Sequence, residues 1–563
     1  MACSLLIATP EGAKAMTAIE ADAQVLIVGG GPVGLTLALD LAWRGVDVIV
    51  VERRAEAEPP LPKCNHVSAR SMEVFRRLGV ATKLRNAGLP TDYPNDVSYR
   101  TSFTGAELTR IPIPCRRDRF TSKNGPDTNW PTPEPPHRIN QIYLEPILFA
   151  CAAEHPKIRI LNGTSVETYT QADDGVRDVA HALDTNEVAN ISCQYLVGCD
   201  GGGSTIRKAI GAKFEGDSVI QRVQSTYIRA PELIARQQEQ PAWATFSLNP
   251  RRSGNVYAID GVERWVVHNY LRDTEVDFDS VDRDWAIRQI LGVGADFEYE
   301  ILQPMDWYGR RLIANKFRDR RVFICGDAAH IWVPYAGYGM NAGIADAMNL
   351  SWILAARLNE WGAASILDGY ERERHPITQQ VSHFVMDHAH AMAGQRGSVP
   401  ENLESDDADG VAARSALGQR AYELNVQQYC CAGLNFGYFY DDSPLIWYDQ
   451  ECAPGYSMSE FTSSTVPGCR TPHFWLPDGS SVYERMGPEF TLLKLRPDVD
   501  VSGLLQAASE RRVPLEVLDV APEIAGPPYT TGLVLSRPDQ HIAWRGHEAP
   551  TDPAALIDRV RGA

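Results

Sequence analysis

Residues 321–341 read RVFICGDAAHIWVPYAGYGMN, and the rest of the chain is organised around this stretch. Its apolar start predicts a buried strand that leads into a Gly-Asp corner. A loop of small residues follows, and the pattern then predicts a helix over residues 342–358. A helix N-terminus presents unpaired N–H groups and the positive end of the helix dipole, so it suits the anionic edge of a ligand. Asp327, at the end of the strand, is placed to accept hydrogen bonds from ligand hydroxyls.

Length, composition and charge bound the classes of function. The chain has 563 residues, of which 44% are hydrophobic, and a formal net charge of −18. This length predicts two or three domains, and the charge argues against nucleic acid or an anionic membrane surface as a partner. No apolar run approaches the roughly 18 residues of a membrane span, and residues 1–24 lack the basic start of a signal peptide. The eleven cysteines show no metal-ligand spacing, which favours reduced thiols in a cytoplasmic protein without a metal site.

A glycine-rich motif stands near the N-terminus between two apolar strand patterns. GGGPVG at residues 29–34 follows one strand and opens an apolar helix, and the next strand ends at Glu52. The glycines at 29, 31 and 34 have the G-x-G-x-x-G spacing that lets a backbone approach a pyrophosphate at a helix N-terminus. Glu52 is placed to bind the hydroxyl pair of a ribose. The pattern predicts dinucleotide binding and leaves NAD and FAD open.

A third motif, DGGGSTIR at residues 200–207, ends a segment that alternates in strand fashion. It predicts another strand end and helix start with an acid and a cluster of backbone donors, although a plain tight turn explains it equally well. Upstream, residues 63–79 predict a helix that carries Arg70, which composition alone favours as a solvated surface arginine. Residues 138–154 predict a second helix.

The middle of the chain has a different architecture. From about residue 214 to 308 the apolar positions alternate, which predicts an antiparallel sheet. Aromatic and polar side chains crowd this sheet, namely Tyr227, Trp243, Tyr257, Trp265, His268, Tyr270, Trp307 and Tyr308. Such a sheet can wall a pocket for a flat apolar ligand, although at least half of these residues are expected to be core. Residues 395–415 predict a linker or surface loop, and residues from about 466 predict a small α/β domain.

The three motifs in this order resemble the single-component (class A) FAD-dependent aromatic hydroxylases, the group that contains 4-hydroxybenzoate hydroxylase and phenol hydroxylase. Residues 467–473 (PGCRTPH) and 537–546 (RPDQHIAWRG) resemble the thioredoxin-like domain of the phenol hydroxylase branch. That domain lacks a Cys-x-x-Cys here, so a role in dimerisation or structure is expected instead of disulfide exchange. The resemblance implies an α/β fold with a Rossmann-like FAD-binding domain of the 4-hydroxybenzoate hydroxylase type, an inserted antiparallel β-sheet substrate domain and a C-terminal thioredoxin-like domain.

The predicted domain boundaries follow from the motifs and the resemblance together. Residues 1–22 are expected to be a flexible extension. The FAD-binding domain is assigned to 23–90, 136–212 and 311–400, the substrate-binding domain to 91–135 and 213–310, a linker and interface segment to 401–462, and the thioredoxin-like domain to 463–563.

The resemblance also implies which residues contact the cofactor. They are Gly29, Gly31, Pro32, Val33, Gly34, Glu52, Arg53, Arg70, Gln141, Asp200, Gly201, Arg207, Gly326, Asp327, Pro334, Gly337, Gly339, Met340 and Asn341. Within this set, Glu52 would hold the adenosine ribose and Arg53 the adenine side. Arg70 and Gln141 would line the pyrophosphate and ribityl chain, and Asp327 would bind the ribityl hydroxyls. Pro334 and the helix start at residues 339–341 would lie beside the isoalloxazine. The chain departs from the family at Lys63, where relatives often carry arginine, and at Ala336-Gly337-Tyr338-Gly339, which replaces a Gly-Gly-Gln-Gly loop.

The resemblance implies a monooxygenase reaction. NADPH or NADH would reduce FAD after transient docking, and O2 would add at flavin C4a to give a hydroperoxide that attacks an electron-rich ring. A base or proton relay would help because a phenolate is more nucleophilic than a phenol. His268, Tyr270 and Tyr227 are the candidate catalytic residues, each more often a packing residue at such positions. A homodimer acting on a small aromatic substrate is expected.

Other interpretations stay open at this stage. A related flavoprotein could perform Baeyer–Villiger oxidation or epoxidation of a polycyclic aromatic. A non-catalytic flavin-binding protein would explain the three motifs but not the aromatic sheet. An NAD-dependent dehydrogenase would explain only the first glycine motif. A flavin halogenase is disfavoured because no Trp-x-Trp-x-Ile-Pro sequence occurs.

Overall fold

The computed structural model of the protein describes residues 19–183, 188–237, 239–333 and 335–563. Most of the predicted extension at residues 1–22 lies outside these residues, and so does Pro334. The first strand starts at Ile19, earlier than the predicted extension allows, because residues 19–23 already pair with residues 189–193 of a neighbouring strand.

The described residues form strands in three sheets. In chain order the strands are β1 (Ile19–Val28), β2 (Val48–Val51), β3 (Val97–Arg100), β4 (Glu107–Ile111), β5 (Ile158–Leu161), β6 (Thr164–Gln171), β7 (Val176–Ala182), β8 (Val188–Gly198), β9 (Phe214–Arg229), β10 (Ala244–Ser247), β11 (Gly254–Ala258), β12 (Arg264–Tyr270), β13 (Glu300–Pro304), β14 (Trp307–Ala314), β15 (Arg318–Asp319), β16 (Val322–Ile324), β17 (His330–Ile331), β18 (Phe490–Lys494), β19 (Leu515–Asp519), β20 (Leu533–Ser536) and β21 (Ile542–Gly546).

Helices cover these sheets and connect them. The α-helices are α1 (Pro32–Trp43), α2 (Ala69–Arg77), α3 (Ala81–Arg85), α4 (Gln141–Ala153), α5 (Thr205–Ala209), α6 (Arg283–Leu291), α7 (Tyr338–Leu358), α8 (Gly369–Gly397), α9 (Ala408–Tyr429), α10 (Ala432–Phe436), α11 (Val482–Arg485), α12 (Ser502–Glu510), α13 (Pro522–Ala525) and α14 (Pro553–Val560).

The first sheet has the strand order β15-β16-β8-β1-β2-β5, and β6 and β7 extend it beside β8. Strands β16, β8, β1, β2 and β5 run parallel to their neighbours, so their carboxyl ends meet at one edge. The central strands are apolar on both faces because helices, including α1 and α7, cover the sheet. This is the predicted Rossmann-like arrangement, and it brings the three motifs to one edge.

The second sheet has the order β17-β14-β9-β12-β11-β10-β3-β4, with β13 also paired to β9. Strands β9 to β12 are antiparallel and in register, as the alternating pattern predicts. Alternation places Trp265 on the opposite face from His268, where it is fully buried against Phe103. Trp265 is therefore a core residue, whereas His268 faces the rest of the molecule.

The C-terminal residues form a four-stranded sheet with the order β19-β18-β20-β21. Strands β18 and β19 are parallel, and β20 and β21 are antiparallel to their neighbours. Strand β21 was not anticipated as a strand from the sequence pattern. The thioredoxin-like assignment and the domain boundaries stay predictions.

The segment predicted as a loop over residues 395–415 is helical at both ends, since α8 runs to Gly397 and α9 begins at Ala408. Helix α9 begins at Ala408 because Asp407 caps it, with its Oδ1 accepting a 2.7 Å hydrogen bond from the N–H of Gly410. The acidic residues that suggested a loop include this cap. Across the described ranges, none of the helices combines the length and apolarity of a membrane crossing.

Candidate active site

The three sequence motifs meet at the carboxyl edge of the parallel sheet. The N–H of Cys199, after β8, donates to the carbonyl of Val28 in β1 at 2.7 Å. The N–H of Cys325, after β16, donates to the carbonyl of Gly198 at 2.9 Å. Val33 of α1 lies against Gly326, where an added Cβ would be 3.2 Å from its methyl groups. The strand ends and the start of α1 therefore form one continuous surface.

The glycines of the first motif have two different functions. An added Cβ at Gly34 would lie 2.0 Å from the carbonyl oxygen of Gly29, so this glycine allows α1 to pack on the strand end. An added Cβ at Gly31 would meet no protein atom within 4 Å. Gly31 is also the N-cap of α1 and no side chain caps the helix. This leaves the free N–H groups and open space that a pyrophosphate needs.

Glu52 lies at the end of β2, as predicted, and its Oε2 accepts a 2.7 Å hydrogen bond from the N–H of Gly30. Burial opposes its ionisation, but hydrogen bonds from Arg54 and Gly30 outweigh that effect and hold the pKa of the carboxyl below its usual range. Arg54 also ion-pairs with Glu145 of α4. The neighbouring Arg53 is exposed, so Arg54 is the arginine that positions Glu52.

Asp327 stands at the corner after β16 with its side chain open to solvent. Partial desolvation by the surrounding protein raises the pKa of Asp327, while the electrostatic influence of His330 and Lys63 opposes the rise. Lys63 therefore acts on Asp327 electrostatically. An exposed carboxylate at a strand end fits a hydroxyl-rich ligand.

The second motif mainly braces this edge. Asp200 Oδ2 accepts hydrogen bonds from the N–H groups of Thr205 and Ile206 at the start of α5, and its Oδ1 is buried without a partner. Gly201 has a φ of +77°, which lets the chain turn there. The guanidinium of Arg207 donates to the carbonyls of Gly202 and Ala328, which ties the second motif to the third.

Helix α7 begins at the site through an unusual turn. Its N-cap, Gly337, has a φ of +61°, and an added Cβ there would lie 2.9 Å from the Cβ of His66. Among the described residues no side chain caps α7, which leaves its first N–H groups available, and Gly339 and Met340 lie in this first turn. The side chain of Asn341 instead holds the preceding loop, with Oδ1 accepting from the N–H of Ser68 and Nδ2 donating to the carbonyl of Gly337.

The side chains of two residues predicted to contact the cofactor bond to protein groups. The Arg70 guanidinium donates to the backbone carbonyl of Asp539 at 2.5 Å and to the side chain of Gln540, both in the C-terminal domain. Arg70 lies on α2 and is buried, which also contradicts the solvated arginine that composition favours. The Gln141 amide donates to Glu145, one turn along α4. Sequence spacing could not reveal that α2 packs against a domain some 470 residues later in the chain.

His330 braces the third motif. Its Nε2 lies 2.5 Å from Oδ2 of Asp346 in α7, and the other carboxylate oxygen accepts from Arg374 of α8 at 2.8 Å. All three side chains are buried. The Trp332 ring stacks on His330 with centroids 4.9 Å apart. His330 is therefore held by structural partners.

One face of the second sheet forms an aromatic surface towards α8, α9 and the loop before α7. We call it the aromatic face, and it carries Tyr99, Phe246, Asn255, Tyr257, His268 and Tyr270. The His268 ring contacts both Tyr257 and Trp307, with centroid separations of 5.7 and 6.1 Å. The guanidinium of Arg396, from α8, lies 4.1 Å from the Tyr270 ring.

The predicted catalytic residues are only partly brought together. His268 and Tyr270 lie two residues apart on β12 and share the aromatic face. Tyr227 lies on β9, opposite Val266, and Tyr143, Arg264 and Asp260 surround its hydroxyl. Tyr227 thus belongs to the rim of this surface.

Burial keeps the titratable groups of the aromatic face uncharged at neutral pH. It lowers the pKa of His268 to about 4, so the imidazole is a weak base. It raises the pKa of Tyr257 and of Tyr270 well above the usual range of a tyrosine. These groups can therefore exchange hydrogen bonds with a ligand, but they are poorly suited to remove a proton at pH 7.

Three residues near this surface were not singled out from the sequence. Both amide atoms of Asn255 are buried without a hydrogen-bond partner among the described residues, and Asn255 is paired with His268 across the strands. Arg138 and Arg396 are cations that lie on aromatic rings. The alternating pattern could have indicated Asn255, since a polar residue at an inward position of a strand is rare, but nothing local indicated the two arginines.

The residues at the sheet edge fit FAD. Gly31 leaves room beside free N–H groups, Glu52 stands where the adenosine ribose would lie, and Asp327 is an exposed acceptor at the next strand end. The open start of α7 faces the same edge. Within the described residues, no group of His, Cys, Asp and Glu side chains has the arrangement of a metal site.

Comparisons with known proteins agree with this geometry. Residues 22–385 match the family described as FAD binding domain, and residues 464–563 match the family described as aromatic-ring hydroxylase, C-terminal. The FAD-dependent monooxygenase apdD of Emericella nidulans is 31% identical over 95% of this chain and 89% of the relative. Phenol 2-monooxygenase of a Pseudomonas species is 28% identical over 96% of this chain and 93% of the relative.

Solved structures show the same relationship. The rebeccamycin biosynthetic enzyme RebC with reduced flavin superposes with a TM-score of 0.87 at 32% identity, covering 97% of this chain and 99% of that one. Aklavinone-11 hydroxylase in complex with FAD and aklavinone superposes with a TM-score of 0.79 at 25% identity, covering 96% of this chain and 99% of that one.

Proposed function

This chain belongs to the family of FAD-dependent aromatic hydroxylases and is an FAD-dependent aromatic monooxygenase, and from that premise we propose that its substrate is a phenolic compound with more than one ring. The observation that carries the proposal is the aromatic face, which offers several rings in one continuous wall. A single phenol ring would cover only part of it. The names of two relatives, a putative polyketide hydroxylase and aklavinone 12-hydroxylase RdmE, also support a substrate larger than a single phenol ring.

We propose specific roles for the residues at the sheet edge. Gly31 admits the pyrophosphate, while Gly29 and Gly34 let the strand ends and α1 pack closely behind it, with Pro32 and Val33 in the first turn of α1. Glu52 holds the adenosine ribose, and Asp327 the ribityl chain. The N-terminal N–H groups of α7 stabilise negative charge near the ring system. When bound, FAD supplies oxygen activation with electrons taken from NADPH or NADH.

The chain itself would bind, orient and shield the substrate. The aromatic face excludes water by its apolar rings, which suppresses loss of oxidant as hydrogen peroxide. Asn255 and neutral His268 supply hydrogen bonds that orient substrate oxygens, because within the described part of the chain both have buried polar atoms that make no close hydrogen bond. Tyr270, backed by Arg396, can donate its hydroxyl in the same way. With no strong base on this face, these residues are positioning groups.

The test is substrate-stimulated oxidation of NAD(P)H by the purified yellow protein. Phenol, 2-naphthol and 9-phenanthrol are compared, with oxygen uptake and product analysis. We expect the multi-ring phenols to give strong stimulation and a hydroxylated product. Phe246→Ala should raise KM for 9-phenanthrol more than for phenol, whereas Phe120→Ala, at an exposed phenylalanine, should change neither.

The alternatives have distinct outcomes in the same assay. Products with an inserted or bridging ring oxygen would favour Baeyer–Villiger oxidation or epoxidation. Stimulation that gives only hydrogen peroxide would identify the probe as a mimic. A yellow protein that oxidises no NAD(P)H with any aromatic would refute the monooxygenase proposal and favour a non-catalytic flavoprotein.

We also propose that the protein is a cytoplasmic homodimer. Strand β13 supports dimerisation, since all five of its residues are exposed and include Ile301 and Leu302 at a sheet edge. The need for NAD(P)H and the scattered cysteines, which show no metal-ligand spacing, support a cytoplasmic location. Light scattering of the holoenzyme tests the dimer, and a mass of one chain would reject it.

A further inference from the structure

A buried arginine without an acidic partner lies beside the aromatic face. Arg138, just before α4, is 5% exposed. Among the arginines buried in the described part of the chain, all except Arg138 and Arg207 have a carboxylate within 4.0 Å. Arg207 is satisfied by backbone carbonyls. Arg138 is different, because it donates to Nδ1 of His66 and its Nη2 has no partner among the described residues.

The neighbouring groups do not neutralise this charge. Asp127 attracts Arg138 electrostatically, but its Oδ2 accepts from Arg119 at 2.6 Å and its Oδ1 accepts from Trp130 at 2.7 Å. Burial is the larger influence and lowers the pKa of Arg138 from its usual value. His66 is no counter-ion, since an imidazole carries no negative charge, and burial lowers its pKa well below the usual range and keeps it neutral. A buried charge in this state lacks a counter-ion.

The position of Arg138 connects the two halves of the site. Its guanidinium lies 4.8 Å from the centroid of the Trp243 ring and 5.8 Å from that of Tyr429. Trp243 in turn contacts Tyr257 of the aromatic face, with centroids 5.2 Å apart. On its other side, His66 packs against the start of α7, where its backbone carbonyl accepts from Asn341. Arg138 thus lies between the aromatic face and the start of α7, where the flavin ring is proposed to bind.

Resting on the proposed function, we propose that Arg138 determines specificity by binding an oxygen anion, a carboxylate or a phenolate, that the aromatic substrate carries. The planar guanidinium matches such oxygens, and charge-assisted hydrogen bonds are strong where water is excluded. The aromatic rings around Arg138 can stack on the substrate ring while its anion completes the ion pair. A substrate without an anion would leave the buried charge unpaired, which disfavours it.

The experiment measures binding to the FAD-loaded enzyme by perturbation of the flavin absorbance at pH 7. Four probes share one naphthalene skeleton: 3-hydroxy-2-naphthoate, its methyl ester, 3-methoxy-2-naphthoate, and the methyl ester of the methoxy compound. The two acids test a carboxylate, and the hydroxy ester tests a phenolate through the absorbance shift of the bound probe. We expect at least one anionic form to bind about 10- to 100-fold more tightly than the doubly capped probe.

Variants assign this preference to Arg138. Arg138→Gln should abolish it, while Arg251→Gln, at an exposed arginine paired with Glu404, should preserve it. Arg138→Lys keeps the charge without the planar fork, so it should weaken binding of the anionic probes and leave binding of the doubly capped probe unchanged. This variant provides the test if Arg138→Gln does not fold. A wild-type enzyme without anion preference, or a preference that survives in both Arg138 variants, would overturn the proposal. Such a result with normal hydroxylation would leave the monooxygenase function intact.

Discussion

Arg537 of the C-terminal domain and Glu373 of α8 form a bidentate ion pair with neither side chain accessible to solvent. The two distances are 2.6 and 2.7 Å, and the carboxylate of Asp539 accepts a further bond from the same guanidinium at 2.8 Å. Glu373 also accepts from Asn349 of α7. The C-terminal domain is therefore tied through buried charges to the two helices that follow the third motif.

Removal of one partner should strongly destabilise the protein. Glu373→Ala leaves Arg537 buried without its main counter-ion, and we expect a loss of about 3 to 5 kcal/mol in the free energy of unfolding. Urea unfolding of the holoenzyme measures this. The exposed pair of Arg251 and Glu404 is the control, since Glu404→Ala should cost at most about 1 kcal/mol. Equal losses in both variants would contradict the prediction.

The two glycines of the first motif should respond differently to alanine. Gly31→Ala meets no protein atom, so stability should fall by no more than about 1 kcal/mol while the FAD content drops, because the methyl group occupies the pyrophosphate space. Gly34→Ala places a methyl group 2.0 Å from a carbonyl oxygen and should cost about 3 kcal/mol or more. The ratio of absorbance at 450 to 280 nm and the Tm, for which about 2 to 4 °C corresponds to 1 kcal/mol in larger domains, separate these effects. Normal FAD content in Gly31→Ala would refute the assignment.

His268 should make stability depend on pH in a defined window. Burial lowers its pKa from 6.5 to about 4 in the folded state, so between these values the unfolded chain binds the proton and the folded chain does not. Stability must then fall as the pH is lowered from 6.5 to 4. In His268→Gln this contribution is absent. The difference in the free energy of unfolding between wild type and variant should therefore change by up to about 3 kcal/mol between pH 6.5 and 4.

Urea unfolding at a series of pH values measures the His268 contribution. His547→Gln, at an exposed histidine, is the control variant. A constant difference between wild type and His268→Gln from pH 6.5 to 4 would show that His268 is not held neutral in the folded protein.

Asn341 should contribute both to the stability of the fold and to the yield of hydroxylation per NAD(P)H oxidised. Its side chain bonds to Ser68, Ser71, Gly337 and His66 and so holds the loop before α2 on the start of α7. Asn341→Ala leaves several of these groups unsatisfied, and we expect a loss of about 2 to 4 kcal/mol. We also expect more hydrogen peroxide per NAD(P)H oxidised. Asn359→Ala is the matched control, at the other end of α7, where the side chain makes one 3.3 Å hydrogen bond to the carbonyl of Arg44. This variant should produce no more hydrogen peroxide per NAD(P)H than the wild type.

The local parts of the fold were predictable from local patterns. The strand-glycine-helix order around residues 29–34 needs only apolar periodicity and backbone freedom, and the structure has β1 and α1 there. The alternation over β9 to β12 likewise predicted the antiparallel sheet, because side-chain direction in a strand is fixed by position. Helix α9 was partly missed because its acidic N-cap resembles a loop in composition.

Side-chain partners distant in sequence were not predictable. Arg70 has the spacing of a helix residue near the cofactor, yet its guanidinium bonds to residues 539 and 540. Arg54, the neighbour of the predicted Arg53, reaches the carboxylate of Glu145 in α4. In each case the sequence supplied a charged residue, and the packing of other elements decided which carboxylate or carbonyl it reached.

The sequence by itself determined that the chain carries a dinucleotide-type sheet edge, an antiparallel sheet and a further α/β unit, because each depends on periodicity and glycine placement within a few dozen residues. Only the tertiary structure decided that Arg138 lies beside the aromatic face without a carboxylate partner among the described residues, and that Arg70 donates to residues 539 and 540 of a domain distant in sequence. Electrostatic pairing depends on distances between side chains that the chain brings together only on folding, and no local pattern encodes those distances.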